Sequence, residues 1–495
     1  MRIRGNAVAL LLALVLALGG CGDSGAGSST RAASWPAPNG DRTNHRQARG
    51  SIDAASVDRL GVAWRLPLAG GYAATPIVLD GVVYVQDLLS NVYAVELDSG
   101  RLRWRHDYSE LDIGPNGVNV AGGRVFGATR TRAFALDAET GREVWSRPLA
   151  RHPGDAIDMA PGYEDGTVYV STAVSGPGAV GTLWALDADS GRARWRWEQV
   201  PQDLWGDPQV NSGGGLWHPP AFDDAGALYV STANPLPFPG VAGRPWGSSR
   251  PGPNRWTNSL AKLDAASGRL LWVRQVLPHD IYDWDLQGPV ILDSVDGRLL
   301  AITTGKMGIV FAFDAASGRL VWTRSVGLHN GRDDDNLLAM RGRLPVPRLQ
   351  KVLPGWWGGV ETQMASDGRV LYAPVNDLAT VFENGTRWRS PDPEDGRGRM
   401  VAIDVANGHV RWDRRLPRSP YGAATISNDL VFTTTYDGTV WALSRADGAV
   451  VWRTRLSFNT NAPVAVAGDT LIAAASVPLE GQAPELVAYR LDAGG

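Results

Sequence analysis

One pattern recurs along the chain, and its clearest copy reads Ala135-Leu136-Asp137-Ala138-Glu139-Thr140-Gly141-Arg142-Glu143-Val144-Trp145. An apolar run ends at an aspartate, a polar turn follows, and a second alternating run closes on a tryptophan. Aspartate and threonine side chains hydrogen-bond the backbone of tight turns, and glycine accepts the positive φ that such turns require. The stretch therefore predicts a β-hairpin that ends on an aromatic residue.

Further copies of this pattern occupy residues 94–104, 185–195, 261–272, 312–322, 402–412 and 442–452, the first of them more loosely. A single hairpin cannot bury a tryptophan, so repeated copies imply units whose apolar faces cover one another. Most turn glycines are about 40 to 50 residues apart, the length of one four-stranded propeller blade. Two wider gaps, from Gly191 to Gly268 and from Gly318 to Gly408, predict blades that carry long loops.

The two ends of the repeat are each incomplete. The strand around Trp64 has no turn before it, and the runs between Ala462 and Leu491 have no tryptophan after them. Joining these pieces completes one more blade and removes an exposed sheet edge. The sequence therefore predicts an all-β fold, an eight-bladed β-propeller of four-stranded antiparallel blades closed by the N-terminal strand, with seven blades as the alternative. One domain, residues 35–495, would hold the whole ring.

The N-terminus has the features of an export signal. Arg2 and Arg4 precede an apolar run that is too short to cross a bilayer, and the run ends at Leu18-Gly19-Gly20-Cys21. This ending resembles the lipobox of bacterial lipoproteins. It predicts a signal peptide over residues 1–20, lipidation of Cys21 and a flexible tether over residues 21–34. The expected location is the extracytoplasmic side of a bacterial cell membrane, held by the lipid. An ordinary secretory signal with an incidental cysteine is the alternative.

Composition excludes several classes of function. The chain is 44% hydrophobic and 20% charged with a net charge of −3, so it offers no basic field for nucleic acid. Its single cysteine can form neither an internal disulfide nor a haem-attachment motif, and no zinc-protease or P-loop motif occurs. The acidic run at residues 333–336 lacks EF-hand spacing and predicts a solvated segment.

Several mid-chain motifs resemble those of the quinoprotein alcohol dehydrogenases, in the order in which that family has them. The resemblance runs from about Trp35 to the C-terminus and rests on the opening at residues 35–41, the tryptophan hairpins, and the motifs Gly213-Gly214-Gly215-Leu216-Trp217, Ala233-Asn234-Pro235, Arg250-Pro251-Gly252, Trp256-Thr257-Asn258-Ser259 and Pro278-His279-Asp280. It implies an eight-bladed propeller with pyrroloquinoline quinone and Ca²⁺ near its axis.

Three residues match the family's ligand-binding positions. Trp217 stands where the family stacks a tryptophan on the quinone, and its alternative role is in the core or between blades. Asn234 matches the calcium-binding asparagine, or it is only a turn residue beside Pro235. Lys306 matches the basic residue that hydrogen-bonds the quinone, and only three of the 48 basic residues are lysines.

Other family positions have changed. Residues 175–178 replace the carboxylate of the calcium site, and Pro253 stands where the resemblance places the catalytic aspartate. Proline cannot act as a general base. Asp280, Asp283 and Glu361 are therefore the candidate substitutes for catalysis, although loop carboxylates more often cap turns. The neighbouring Asp285 and His279 are candidates for a role in the site on the same grounds.

Three functions follow from these observations. The first is a lipid-anchored quinoprotein that oxidises an alcohol or sugar with a relocated base and passes electrons to an external acceptor. The second is a related propeller that binds a small ligand without turnover. The third is a protein-interaction propeller similar to the noncatalytic lipoproteins of outer-membrane assembly. The long loops at residues 235–256 and 327–357 favour binding of a ligand.

Overall fold

Antiparallel β-sheets supply nearly all the regular secondary structure of the protein. The computed structural model describes residues 33–174, 176–344, 349–389, 391–477 and 482–493. The predicted signal peptide, Cys21 and all but the last two residues of the predicted tether lie outside these ranges. The residues from Ala33 onward belong to one compact unit.

Eight sheets of four or five strands, numbered here in chain order, contain most of the strands of the described ranges. Sheet 1 contains Ile77–Leu79, Val82–Gln86, Val92–Glu96 and Leu102–His106, and sheet 2 contains Asn119–Ala121, Arg124–Ala128, Arg132–Asp137 and Glu143–Pro148. Sheet 3 contains Asp155–Ala156, Gly162–Glu164, Thr167–Val174, Thr182–Asp187 and Ala193–Glu198. Sheet 4 contains Ala221–Phe222, Ala227–Ser231, Ser259–Asp264 and Leu270–Gln275.

The second half of the chain continues in the same way. Sheet 5 contains Ile291–Val295, Arg298–Thr303, Ile309–Asp314 and Leu320–Ser325, and sheet 6 contains Ala365–Ser366, Val370–Asn376, Gly398–Asp404 and Val410–Leu416. Sheet 7 contains Thr425–Ser427, Leu430–Thr434, Thr439–Ser444 and Val450–Arg455, with Gln47–Ala48 added parallel to its first strand. Sheet 8 contains Ala465–Ala467, Thr470–Ala475 and Glu485–Leu491, with Leu60–Pro67 paired antiparallel to the last of these.

Smaller elements lie in the long connections between the sheets. Two further pairings are Ser212–Gly213 with Pro235–Leu236, and Gln350–Val352 with Thr380–Asn384 and Arg387–Arg389. The helical segments are Val57–Arg59, Leu204–Gly206, Asp335–Met340 and Pro393–Asp395. No helix in the described part of the chain is long and apolar enough to cross a bilayer.

The recurrent pattern folds as a hairpin, which confirms the sequence prediction. Arg132–Asp137 pairs with Glu143–Pro148, and Asp137 Oδ1 accepts hydrogen bonds from the backbone N–H of Thr140 at 2.9 Å and from its hydroxyl at 2.7 Å. Gly141 has the expected positive φ of 71°. The local chemistry of the turn is therefore sufficient to set the shape of the hairpin.

Seven tryptophans pack on the turn of the following sheet. Trp104 in sheet 1 donates from its indole N–H to the carbonyl of Ala138 at 3.0 Å, and its ring covers Gly141 in sheet 2. The same contact joins Trp64 to Leu97, Trp145 to Ala188, Trp195 to Ala265, Trp272 to Ala315, Trp322 to Val405 and Trp412 to Arg445. A Cβ atom on any of the seven turn glycines would lie 2.5 to 2.9 Å from the indole that covers it. These glycines thus have a second, tertiary reason to be glycine.

The segment that contains Asn44 and Arg46, before the first long strand, contacts residues near several sheets. Arg46 is fully buried and donates to Thr75, to Thr425 and to the carbonyl of Ala424 at 2.8 to 2.9 Å. Asn44 donates to the carbonyl of Val290 at 3.0 Å. These bonds tie the segment to residues next to sheets 1, 5 and 7.

We expect Gly141→Ala to lower the free energy of unfolding by about 2 to 4 kcal/mol, because the new Cβ adds steric strain at positive φ and also collides with Trp104. Gly123→Ala is the matched control, since Gly123 has a φ of 72° and a Cβ there would meet no atom within 4 Å. It should cost only about 1 kcal/mol. Urea unfolding of the two variants measures the difference, and equal losses would contradict the packing argument.

Candidate functional site

A cavity of about 610 Å³ brings together residues that are far apart in the chain. Its titratable lining residues are His218, Asp283, Asp285, Lys306 and Glu361. Its aromatic lining residues are Trp217, Phe238, Trp356, Trp357, Tyr421 and Tyr436. Ionisable and aromatic groups that converge in one enclosed space are typical of a ligand site.

The loop at residues 279–285 supplies two of the carboxylates. It follows the outer strand of sheet 4 and leads to the first strand of sheet 5. Asp280 lies inside the loop and accepts hydrogen bonds from the backbone N–H groups of Tyr282 at 2.8 Å and Trp284 at 2.7 Å, and from the side chain of Asn258 at 3.0 Å. Asp280 does not line the cavity, so its contacts make it a support for the loop.

A buried ion-pair cluster stands at the cavity wall. The ammonium group of Lys306 lies 2.7 Å from Asp283 Oδ2 and 2.8 Å from Asp285 Oδ2. Asn234 donates from its side chain to Asp283 Oδ1 at 2.6 Å and from its backbone N–H to Asp285 Oδ1 at 2.7 Å. All four oxygens of the two aspartates therefore have a donor, which is the condition under which buried charges are tolerated.

The charges in this cluster do not balance. Burial opposes the positive charge of Lys306, but its attraction to Asp283 and Asp285 prevails and holds the pKa of Lys306 well above its usual range. Burial raises the pKa of Asp283, although Lys306 acts in the opposite direction. Glu361 adds a third carboxyl group, and burial raises its pKa to about 7 against the attraction of Lys306. One ammonium group thus faces three acids, so the cavity favours a proton or a cation.

Trp217 is unlike the tryptophans that dock between sheets. It follows a glycine run in which Gly215 has a φ of 119°. A Cβ on Gly215 would lie only 2.6 Å from the Cα atom of Ala173, so this backbone passes close to that of Ala173. Its indole N–H has no partner among the described residues, whereas each docking tryptophan donates to a carbonyl. Gly114 lies close to the ring, since a Cβ there would be 3.0 Å from Trp217 Cζ3. Trp217 therefore lies at the cavity and not between blades.

Next to Trp217, His218 is held neutral. Burial lowers the pKa of His218 to about 3, and the nearby Arg46 contributes in the same direction. His218 Nδ1 lies 3.4 Å from the side-chain nitrogen of Gln363, another lining residue. Sequence reasoning did not single out His218 or Gln363, because no local pattern marks them.

The structure brings together six of the sequence candidates, which are Trp217, Asn234, Asp283, Asp285, Lys306 and Glu361. Asp285 is the second ion-pair partner of Lys306. Asp280 and His279 lie outside the lining. His279 contacts the carbonyl of Gly252 at 3.0 Å, and burial lowers its pKa to about 4.

Pro253 is exposed and does not line the cavity. In the same loop, the buried Arg250 donates to the carbonyl of Asp280 and to the side chain of Asn254. The residue type at position 253 therefore does not bear on the acids of the cavity. Of the segment 175–178, Ser175 lies outside the described residues and the others do not line the cavity.

The acidic run at residues 333–336 is only partly solvated, which corrects the sequence prediction. Asp335 is buried and accepts from the hydroxyl of Tyr282 at 2.6 Å, and Asn336 accepts from the backbone N–H of Ile281 at 2.9 Å. These contacts brace the 279–285 loop from behind. In the part of the chain that the structure describes, no group of three or more histidine, cysteine or acidic side chains is arranged around a metal position.

Two protein-family models match parts of the chain. "Glucose/ethanol/alcohol dehydrogenase, beta-propeller domain" matches residues 165–327, and "Outer membrane protein assembly factor BamB" matches residues 88–216 and 350–495. The quinohemoprotein alcohol dehydrogenase of Comamonas testosteroni is 27% identical over 87% of this chain and 70% of its own length.

Solved structures show the same fold. The quinohemoprotein alcohol dehydrogenase ADHIIG of Pseudomonas putida superposes with a TM-score of 0.81 at 22% identity, over 94% of this chain and 81% of its own. BamB of Moraxella catarrhalis superposes with a TM-score of 0.55 at 16% identity, over 88% of this chain and 99% of its own. Sheets, docking tryptophans and these likenesses together define a β-propeller. The chain belongs to the quinoprotein alcohol dehydrogenase-like family of such propellers.

Glu361 should make stability depend on pH. Its carboxyl group titrates near 4.5 when unfolded and near 7 in the folded protein. Between these values only the folded state holds the proton, so the free energy of unfolding falls as the pH rises. We expect Glu361→Gln to match the wild type at pH 5 and to exceed it by up to about 2 kcal/mol at pH 8, after allowance for screening at the cavity wall.

Urea unfolding from pH 5 to pH 8 measures this effect. Glu139→Gln, in the exposed turn of sheet 2, is the matched control and should follow the wild type at every pH. A difference between Glu361→Gln and the wild type that stays constant over this range would refute the titration of Glu361.

Proposed function

We propose that this chain is a quinoprotein-type oxidoreductase that binds pyrroloquinoline quinone with a hard cation and oxidises an alcohol or sugar. One observation carries the proposal: Lys306, Asp283, Asp285 and Asn234 form one hydrogen-bonded cluster in the cavity that Trp217 also lines. An aromatic surface, a cation and oxygen ligands are what a planar, acidic quinone needs.

The residues fit the quinone in shape and chemistry. The indole of Trp217 is not engaged in docking between sheets, and Gly114 lies beside its ring, where an added Cβ would be 3.0 Å from Cζ3. Trp217 would hold the flat face of the ring system, and Lys306 would donate to one of its oxygens. Pyrroloquinoline quinone supplies an acceptor for the two electrons that alcohol oxidation releases.

The donor set also offers oxygens to a hard cation, which would displace donors that the carboxylates now accept from. Asp283, Asp285 and Asn234 offer carboxylate and amide oxygens, the ligands that Ca²⁺ prefers. Lys306 now balances part of the negative charge, and Glu361 leaves an excess of acid in the same cavity. A cation bound there would neutralise this excess beside the carboxylates of the quinone. The resemblance predicts Asn234 as a calcium ligand, and this role is part of the proposal.

Asp283 is the group that we assign to remove the proton from the substrate hydroxyl. It lines the cavity, while Asn234 and Lys306 hold its two oxygens in place. Burial moves its pKa upward, toward the range in which a carboxyl group both takes and releases a proton near neutral pH. Glu361 is the second candidate, and Asp280 serves as a positioning residue behind the loop.

The architecture and location are part of the same proposal. Eight sheets in chain order, seven tryptophans that each dock on the following sheet, and the pairing of Leu60–Pro67 with Glu485–Leu491 support a closed ring of eight blades. Residues 35–495 would form this ring as one domain. The motif at Cys21 supports export and a lipid anchor, with electrons passed to a separate acceptor.

A protein-interaction propeller is the second candidate function, favoured by the match of residues 88–216 and 350–495 to the BamB family. Asn234, Asp283, Asp285 and Lys306 fall between these segments, inside the stretch that matches the dehydrogenase family. The chemistry-bearing residues therefore support the first candidate.

Titration of the full-length protein with pyrroloquinoline quinone, with and without Ca²⁺, tests cofactor binding. We expect saturable binding that Ca²⁺ strengthens, and a loss of roughly tenfold or more in affinity in Trp217→Leu, because stacking on an aromatic platform is worth about 1 to 3 kcal/mol. Trp184→Leu, in sheet 3 outside the cavity, is the matched control and should bind as the wild type does. Absence of binding in every condition would favour the interaction propeller.

Dye-linked oxidation of alcohols by the loaded protein tests the assignment of Asp283. Asp283→Asn keeps the size of the side chain but removes the base, so the expected result is a kcat lowered roughly 100-fold or more at saturating quinone and Ca²⁺. Asp155→Asn, a buried position in sheet 3 that does not line the cavity, provides a comparison for the loss of a buried charge. If Asp283→Asn turned over alcohol as fast as the wild type, another group would have to remove the proton from the substrate hydroxyl.

A further inference from the structure

Two buried carboxyl groups lie beside the cavity but outside its lining, and the proposed function uses neither. Asp112 is in the connection between sheets 1 and 2, and Asp158 follows the first strand of sheet 3. They are 1% and 4% exposed. Gly114 links them, because it lies two residues after Asp112 and an added Cβ there would be 2.9 Å from the Cβ atom of Asp158.

The two carboxyl groups interact in a poorly solvated space. Burial raises the pKa of Asp112 to about 7, and the negative charge of Asp158 adds to that increase. Burial also raises the pKa of Asp158 to about 6. The positive charge of Arg130 acts to lower both pKa values but does not outweigh burial. When both acids are ionised, they therefore leave one negative charge in excess of the guanidinium.

An amide oxygen next to Asp112 has no donor. Asn116 is fully buried, and its Nδ2 atom donates to Asp112 Oδ2 and, at 3.1 Å, to the carbonyl of Ala128. Both partners are acceptors, so they identify the nitrogen and leave Oδ1 as the free atom of the amide. Asn116 Oδ1 has no hydrogen-bond partner among the described residues, and neither has Asp158 Oδ1. Two buried acceptors thus lack a donor beside the Asp112 carboxylate.

Backbone contacts hold the two acidic segments in place. The N–H of Asp112 donates to the carbonyl of Leu88 at 2.9 Å, just beyond a strand of sheet 1. The N–H of Ile157, next to Asp158, donates to the carbonyl of Arg130 at 2.9 Å, in a turn of sheet 2. The carboxyl groups are therefore positioned by the packing of three successive sheets, which reduces the entropy cost of binding a ligand between them.

The chemistry of these atoms favours a cation. A water molecule would donate to at most two of the acceptors and would leave the excess negative charge in a poorly solvated space. A cation contacts the acceptors and neutralises the charge at the same time. Carboxylate and amide oxygens are the ligands of hard cations, and Ca²⁺ accepts irregular arrangements that water molecules complete. Ile113, Gly114 and Pro115 line the cavity, so an ion can approach from there.

We propose that Asp112, Asn116 and Asp158 form a further binding site for a hard divalent cation of the Ca²⁺ type, separate from the cluster that the proposed function uses. The two aspartates supply carboxylate oxygens, and Asn116 supplies Oδ1. The site is independent of the quinone, because its oxygens and its charge belong to the protein alone. The bound cation joins the connection between sheets 1 and 2 to sheet 3, next to the ring of Trp217.

Calorimetric titration of the quinone-free, full-length protein with Ca²⁺ tests this site. The protein is first freed of divalent cations with a chelator and is titrated near pH 8, where both carboxyl groups are ionised. We expect Ca²⁺ binding whose affinity falls roughly tenfold or more in Asp158→Asn, because a neutral amide replaces a carboxylate ligand. Asp155→Asn is the matched control and should bind as the wild type does, since Asp155 is a buried acid that accepts from the backbone N–H groups of Arg151 and His152.

The same titration of Asp283→Asn separates this site from the one in the proposed function. Ca²⁺ binding that Asp283→Asn retains and Asp158→Asn loses supports the further site, whether or not the quinone binds. Ca²⁺ binding that Asp283→Asn abolishes and Asp158→Asn leaves intact places the cation in the cluster around Lys306 and overturns this inference. Absence of Ca²⁺ binding in the wild type also overturns it, while the quinone is tested by its own titration.

Thermal unfolding provides a second measurement and shows whether Asp158→Asn folds. In EDTA we expect the Tm of the variant to equal or exceed that of the wild type, because the substitution removes a buried charge. Ca²⁺ should raise the Tm of the wild type more than that of the variant, because a ligand that binds only the folded state stabilises it. A clearly lower Tm of Asp158→Asn in EDTA would mean that the carboxylate already has a stabilising partner, and it would overturn the site.

Discussion

The contact of an indole ring with a turn glycine is the interaction on which the rest of this structure depends. A planar indole can lie flat on a turn only if the residue beneath it has no Cβ, and its N–H must find an acceptor when it is buried. Gly141 and the Ala138 carbonyl meet both needs for Trp104. This contact occurs seven times and sets the spacing between the sheets it joins. The loops between the sheets are not needed for that packing and can hold the side chains of the cavity.

The 279–285 loop shows how that freedom is used. Its position between sheets 4 and 5 is fixed by their packing, and its shape is fixed by Asp280, which accepts from two backbone N–H groups inside the loop and from the side chain of Asn258 outside it. Arg250 and Asp335 brace it from two other connections. Because the loop is supported from behind by buried polar contacts, the carboxylates of Asp283 and Asp285 can be held at the cavity wall against their mutual repulsion.

The cavity combines two environments that favour different parts of a ligand. Around Lys306 the acids outnumber the ammonium group, and the low-dielectric surroundings make every unbalanced charge expensive. Phe238, Trp356 and Trp357 contribute aromatic rings to the same lining. These lining side chains are more informative about ligand chemistry than membership of the family, because related propellers share the sheets whatever their loops contain.

The sequence by itself determined the hairpins, the tryptophan at the end of each, and the family, because turn hydrogen bonds and strand alternation act over a few residues. It also placed Trp217, Asn234 and Lys306 among the candidates, through motifs that resemble those of the family. Only the tertiary structure decided that Asp283 and Asp285 share Lys306, that Asp280 is a support, and that Pro253 is outside the cavity. Such contacts join residues separated by long stretches of chain, and which side chains meet depends on how whole sheets pack and not on the local pattern.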